Sequence, residues 1–163
     1  MDDAKHRLKM RNPWHLLATG FGSGLSPIMP GTMGSIAAIP FWLLLAPLPT
    51  WAIWLVIVVG TLIGCVICQK AADALSVEDP GCVVWDEFIG MWITLMAIPV
   101  LNWQWVLVGF VVFRIFDMWK PWPICWFDRY VKGGIGIMLD DIIAAIFAIV
   151  VIWLLNFYQI LPF

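Results

Sequence analysis

Residues 50–70 read T-W-A-I-W-L-V-I-V-V-G-T-L-I-G-C-V-I-C-Q-K, with no Asp, Glu, Lys or Arg before the final lysine. A helix that crosses the bilayer needs ~20 mostly apolar residues. This run supplies them, and the chain is read as a membrane protein from here outward. Residues 12–69, 88–113 and 142–163 are all free of formal charge apart from histidine. Hydrophobic residues make up 63% of the 163-residue chain and charged ones only 12%, against ~25% charged in soluble domains. Twelve Trp and ten Phe agree, since aromatic rings favour the membrane–water interface.

Pro47 and Pro49 divide the first uncharged stretch, and the segment around Pro99 and Asn102 divides the second. Helices are therefore expected over 34–46, 50–70, 87–98, 103–119 and 140–157. The fold class is all-α: a polytopic transmembrane helical bundle of about five spans, in a single domain over 1–163. The first and third helices are short for a span, so tilt or local bilayer thinning is expected. Ahead of them lie a basic arm, 1–12, and a Gly/Pro-rich interfacial segment, 13–33, expected to be irregular or re-entrant. The arm lacks the apolar core and small-residue cleavage site of a signal peptide.

All nine Lys and Arg lie in the arm, at Lys70, or between Arg114 and Lys132. The positive-inside rule then puts the N-terminus and the charged connections in the cytoplasm and the C-terminus in the periplasm. All eleven acids fall on the same side. That rule says little about acids, so their clustering has another cause. A net charge of −2 and the lack of a basic, aromatic-studded stripe argue against nucleic acid. Cys65-x-x-Cys68 sits in an apolar run with no second ligand pair, and reads as buried thiols rather than zinc.

Four groupings carry chemistry. Residues 15–35, H-L-L-A-T-G-F-G-S-G-L-S-P-I-M-P-G-T-M-G-S, bring glycines and hydroxyls to a helix start. That is either a phosphate site or a re-entrant hairpin whose glycines serve packing. Asp86-Glu87 opens an apolar helix, where capping explains one acid but not two. Arg114, Asp117 and Lys120 are spaced i, i+3, i+6 on one stripe, either flanking a phosphate or forming a salt-bridge ladder. Asp140-Asp141 follows K-G-G-I-G-I-M-L and is expected at the mouth of the last helix. So many acids need a divalent cation, and hard oxygen donors favour Mg²⁺.

Together, D-E-F-I-G-M-W, F-R-I-F-D-M-W-K-P-W-P-I and G-I-M-L-D-D resemble the phosphatidylglycerophosphatase A family, from N-P-W-H-L-L-A to the last helix. The resemblance implies a multi-pass enzyme of the bacterial inner membrane with its active site on the cytoplasmic face. It implies hydrolysis of the lipid substrate phosphatidylglycerol phosphate to phosphatidylglycerol and phosphate, with Mg²⁺, among membrane lipids. On that reading Asp86, Glu87, Asp140 and Asp141 are the metal ligands. Asp117 is a further ligand or the general base. Arg114 and Lys120 clamp phosphoryl oxygens, with Thr32 and Ser35 as weaker contacts, and His15 is a candidate acid for the leaving oxygen. Asp141 then serves catalysis as well as metal binding.

Other phosphatase chemistries lack their motifs. Cys125 and Arg129 are spaced C-x₃-R rather than C-x₅-R, and neither D-x-D-x-T nor P-S-G-H occurs. Two rivals stand beside the phosphatase. One is a Mg²⁺-dependent lipid phosphotransferase, whose D-G-x₂-A-R pattern is missing. The other is a non-enzymatic carrier with an acidic vestibule, which would want polar groups at the bilayer midplane. The oligomeric state is left open by the sequence.

Overall fold

A computed structural model describes residues 8, 10–78 and 80–161. Most of the basic arm, including Lys5, Arg7 and Lys9, lies outside the described residues. Among the described residues there are seven α-helices and no strand: α1 Pro13–Ala18, α2 Pro30–Leu45, α3 Thr50–Leu75, α4 Trp85–Leu95, α5 Trp103–Trp119, α6 Ile124–Tyr130 and α7 Gly133–Phe157. A short 3-10 turn, Ser23–Leu25, links α1 to α2.

Local signals explain the boundaries. Asn12 caps α1, its side-chain oxygen accepting from Trp14 N at 3.0 Å, with Pro13 at the first helical position. Asn102 does the same for α5 through Trp105 N, at 2.8 Å. Lys120 ends α5 in the left-handed region, at φ 43°, just before Pro121.

The five long helices alternate in direction. Trp85 Nε1 donates to Gly60 O and packs near Gly64, while Ile89 meets Gly60, so α3 and α4 run antiparallel. Gly90 faces Phe113 and Gly109 faces Leu95, so α4 and α5 are antiparallel too. Gly34 meets Val84 and Trp92 Nε1 donates to Ala38 O at 3.0 Å, so α2 runs parallel to α4. The ends of α3 and α5 and the starts of α2, α4 and α7 thus gather at one end of the bundle, which is the charged end.

Two of the five expected spans are met by length and apolarity: α3, with 26 residues, and α7, with 25. The other three fall short by that measure. Helices α2, α4 and α5 have 16, 11 and 17 residues, short of the ~20 a lone span needs. The reason is clearest in α4, where every residue except Asp86 is buried. Its neighbours are protein, and irregular backbone is tolerated at membrane depth where protein covers it. Trp85, Phe88 and Trp92 of α4 form a ring cluster with Phe41, each pair worth about 0.5–1.5 kcal/mol beyond its burial. The segment 13–33, expected to be irregular, holds α1, the 3-10 turn and the first residues of α2. Its left-handed positions are Gly20, Phe21, Gly22 and Met29.

Candidate active site

The two acid pairs reach the charged end by different routes. Val84 N donates to Ala18 O at 2.8 Å, tying the turn before α4 to the end of α1. Asp86 and Glu87 then fall in the first turn of α4, where unpaired N–H groups and the helix dipole favour acids. Asp140 and Asp141 do not open their helix, contrary to the sequence expectation. α7 begins at Gly133, and the pair lies more than one full turn inside it, with no acid in the first turn. The glycine-rich stretch is helix, not turn. A Cβ on Gly134 would strike the Cys65 carbonyl of α3, and one on Gly136 the Val131 carbonyl. Gly134 lets two long helices approach closely, as small residues do between membrane helices, and Gly136 makes room for the turn that leads into its own helix. Capping therefore does not explain the second pair.

Asp86, Asp140 and Asp141 each offer a carboxylate oxygen to a group in which all three atoms lie within 4.8 Å of one another. Asp117 lies beside it, in hydrogen-bonding contact with Asp141 and near Glu87. Neighbouring helical residues point about 100° apart, and the first pair splits accordingly. Asp86 joins the group, while Glu87 Oε1 turns toward Arg114 Nη1 at 3.9 Å.

Two cations face these acids. Arg114 Nη1 pairs with Asp117 Oδ2, and its Nη2 donates to Thr32 Oγ1 at 3.4 Å. Lys120 leaves the stripe that the i, i+3, i+6 spacing predicted. From the end of α5 its Nζ lies 2.5 Å from Asp140 Oδ2 and 2.6 Å from Asp128 Oδ1. Burial works against the ammonium, but the Asp140 charge and the hydrogen bonds to Asp128 and Asp140 outweigh it and raise the pKa. Lys120 is therefore a fixed cation on one of the grouped acids.

The acids outnumber the cations that contact them. Asp141 Oδ2 and Glu87 Oε2 are buried and accept no hydrogen bond among the described residues. Buried carboxylates in this state are costly unless a counter-ion joins them. Three hard oxygens from two helices, with two more acids at the edge, suit Mg²⁺ as a donor set.

The other expected residues divide. Thr32 is at the site, on the first turn of α2, through Arg114. Gly31 beside it passes so close that a Cβ would collide with Glu87 Oε1 and crowd both Arg114 Nη atoms. Ser35 is buried, and its hydroxyl donates to Gly31 O of its own helix at 3.0 Å. His15 sits on α1, which the Ala18–Val84 bond fixes beside the start of α4. Two residues were missed. Asp128 had a signal, as a lone acid among Trp126, Phe127 and Tyr130 at a membrane edge, where a cationic partner is required. Gly31 had none beyond its place in Pro-Gly-Thr.

A family model described as PgpA, Phosphatidylglycerophosphatase A, matches residues 16–156. Curated relatives agree. The phosphatidylglycerophosphatase A of Escherichia coli (strain K12) is 66% identical over 145 residues, 89% of this chain and 84% of the relative. That of Haemophilus influenzae is 44% identical over 155 residues, 94% of this chain and 95% of the relative. A protein of Bacteroides thetaiotaomicron named putative phosphatidylinositol-3-phosphatase is 38% identical over 144 residues, 84% of this chain and 89% of the relative. No solved structure matches the chain.

Proposed function

Since the chain belongs to the phosphatidylglycerophosphatase A family, we propose that it hydrolyses phosphatidylglycerol phosphate to phosphatidylglycerol and inorganic phosphate, with Mg²⁺ as cofactor, at the charged end of its bundle. The observation that carries this is the meeting of Asp86, Asp140 and Asp141 from two helices, with Arg114 and Thr32 on the flank. We place the protein in the bacterial inner membrane as a multi-pass enzyme. There α2, α4 and α5 cross in the company of α3 and α7, and the charged end faces the cytoplasm, where a lipid phosphate headgroup lies.

In this reading Asp86, Asp140 and Asp141 hold the metal, and Lys120 keeps Asp140 ionised and aimed. Bound Mg²⁺ would neutralise phosphoryl oxygens and lower the pKa of water at neutral pH. Arg114 uses Nη1 to hold Asp117 and Glu87. Its Nη2 and its buried Nε, which donates to no described residue, are left for a phosphoryl oxygen. Thr32 adds a hydroxyl. Water oxygen bonds to phosphorus, the phosphorus–oxygen bond to glycerol breaks, and Asp117 takes the water proton. His15 is the candidate donor to the departing glycerol oxygen. Positioning and charge stabilisation dominate such transfers.

The test is phosphate release by purified protein in detergent. The substrates are phosphatidylglycerol phosphate, phosphatidic acid, phosphatidylinositol 3-phosphate and free glycerol phosphate, with an alcohol acceptor present. Phosphatidylglycerol phosphate should be turned over, EDTA should stop it and Mg²⁺ should restore it. Full activity after metal stripping would end the metal assignment. Phosphate found on the alcohol would favour a phosphotransferase, and no release from any substrate would favour a carrier.

A further inference from the structure

Helices α2 and α5 both pack firmly on α4 but touch each other only sparingly. Between them lie two hollows of about 590 and 530 Å³ that meet at Phe110. Their walls include Ile36, Leu43, Leu107 and Val111, all exposed apolar side chains. The cleft begins beside Asn102 and Trp103, passes Thr32 and Arg114, and continues to Met118 and Trp119 at the charged end. Trp103 and Arg114 are eleven residues apart in α5. That is a rise of about 17 Å, close to the half-thickness of a hydrocarbon core of about 30 Å.

We infer that this cleft is a slot for one acyl chain of the phosphate-bearing lipid, which enters sideways from the bilayer between α2 and α5. The inference rests on the reading of the charged end as a lipid-phosphate site, and it adds where the tail goes. A tail gains little by leaving lipid for an equally apolar wall. The phosphate must therefore hold the lipid in register. Among the described residues Arg114 is the only charged side chain lining the cleft, and it stands toward the charged end, where the headgroup would be.

The experiment uses the full chain in vesicles of phosphatidylglycerol and phosphatidylethanolamine. The probe is a lipid with a non-hydrolysable terminal phosphonate on its headgroup and a diazirine in one acyl chain. After irradiation, labelled residues are read by mass spectrometry. Label should fall on the facing sides of α2 and α5. Excess unlabelled phosphonate lipid should displace it, and the matched neutral alcohol should not. Leu107→Trp and, independently, Val111→Trp fill the slot and should cut this label several-fold. Label spread evenly over α3 and α7, or unmoved by the competitor, would mean ordinary surrounding lipid and would overturn the slot. Cross-links between two copies through this cleft would also overturn it. The phosphate-release assay on wild type separates the two readings. Release without slot labelling sinks only the slot, whereas absent release sinks the enzymatic reading itself.

Discussion

The start of α4 and the interior of α7 each carry two adjacent acids, and in the sequence they look alike. In the structure they are opposites. Asp86-Glu87 lies in a first turn that welcomes acids, and its members part, one to the carboxylate group and one to Arg114. Asp140-Asp141 lies within a helix, away from the unpaired N–H groups of its first turn, and the backbone bond it gains has Asp141 N donating to Asp140 Oδ1 at 3.0 Å. Asp141 joins the group without a cation at salt-bridge distance among the described residues, and Asp140 joins it with Lys120 attached. The lesson is that the surroundings, not the doublet, assign the role. The first pair sits where the helix dipole favours acids, and in the second Asp140 is held by Lys120 and by the Asp141 backbone N–H.

The strongest way to break this comparison is to neutralise Asp141 or Asp86. On the proposed reading Asp141→Asn and Asp86→Asn each lower phosphate release about a thousand-fold, the scale of several kcal/mol of metal catalysis. With metal stripped, Asp141→Asn should melt at or above wild type, because one buried repelling charge is gone. Release above half of wild type at saturating Mg²⁺ would remove these residues from the metal site.

Lys120→Met tests the attached cation. It should raise the Mg²⁺ concentration needed for half-maximal release by about 10- to 100-fold, the usual effect of losing a group that orients a ligand. Excess Mg²⁺ should recover most of the rate. A rate that stays low at any Mg²⁺ would instead put Lys120 on the phosphate.

Glu87→Gln sharpens the split within the first pair. It keeps the side-chain size under Gly31 and leaves Arg114 bound to Asp117. Release should fall by less than about ten-fold, one 1.4 kcal/mol step, and the Mg²⁺ dependence should stay put. A shifted Mg²⁺ dependence would return Glu87 to the ligand set.

The smallest effect belongs to Asp128→Asn. Its carboxylate is 42% exposed, and an exposed pair is worth at most about 1 kcal/mol. Melting temperature should drop by a few degrees while Lys120 keeps Asp140. A ten-fold loss of release would show that Lys120 depends on both acids.

Much of the architecture was legible because apolar runs and prolines report directly on helices. The helix over 103–119 agrees with α5, and the one-sided charge reappears as one charged end. What failed shows where pattern reading stops. Gly133, Gly134 and Gly136 look like a turn, and only their close approaches to Gln69, Cys65 and Val131 explain them as helix. The i, i+3, i+6 stripe gave the Arg114–Asp117 pair but not Lys120, since the helix ends there and the chain turns it toward Asp140. Ser35 suits an anion by type, yet its hydroxyl satisfies its own helix. The short buried α4 could not be told from a span, because burial in protein and burial in lipid select the same residues.

The placement of the grouped acids along the chain also sets when the site can exist during synthesis. Asp86 emerges early, on a helix whose rise of about 16 Å is too little to cross the bilayer unaided. Asp140 and Asp141 arrive only with α7, after α2, α3 and α5 have left the ribosome. A nascent chain that stops before α7 carries one of the three grouped oxygens. On the proposed reading, chemistry at the membrane surface is switched on by the docking of the last helix, and a stalled or truncated chain is expected to be inert toward the lipids around it.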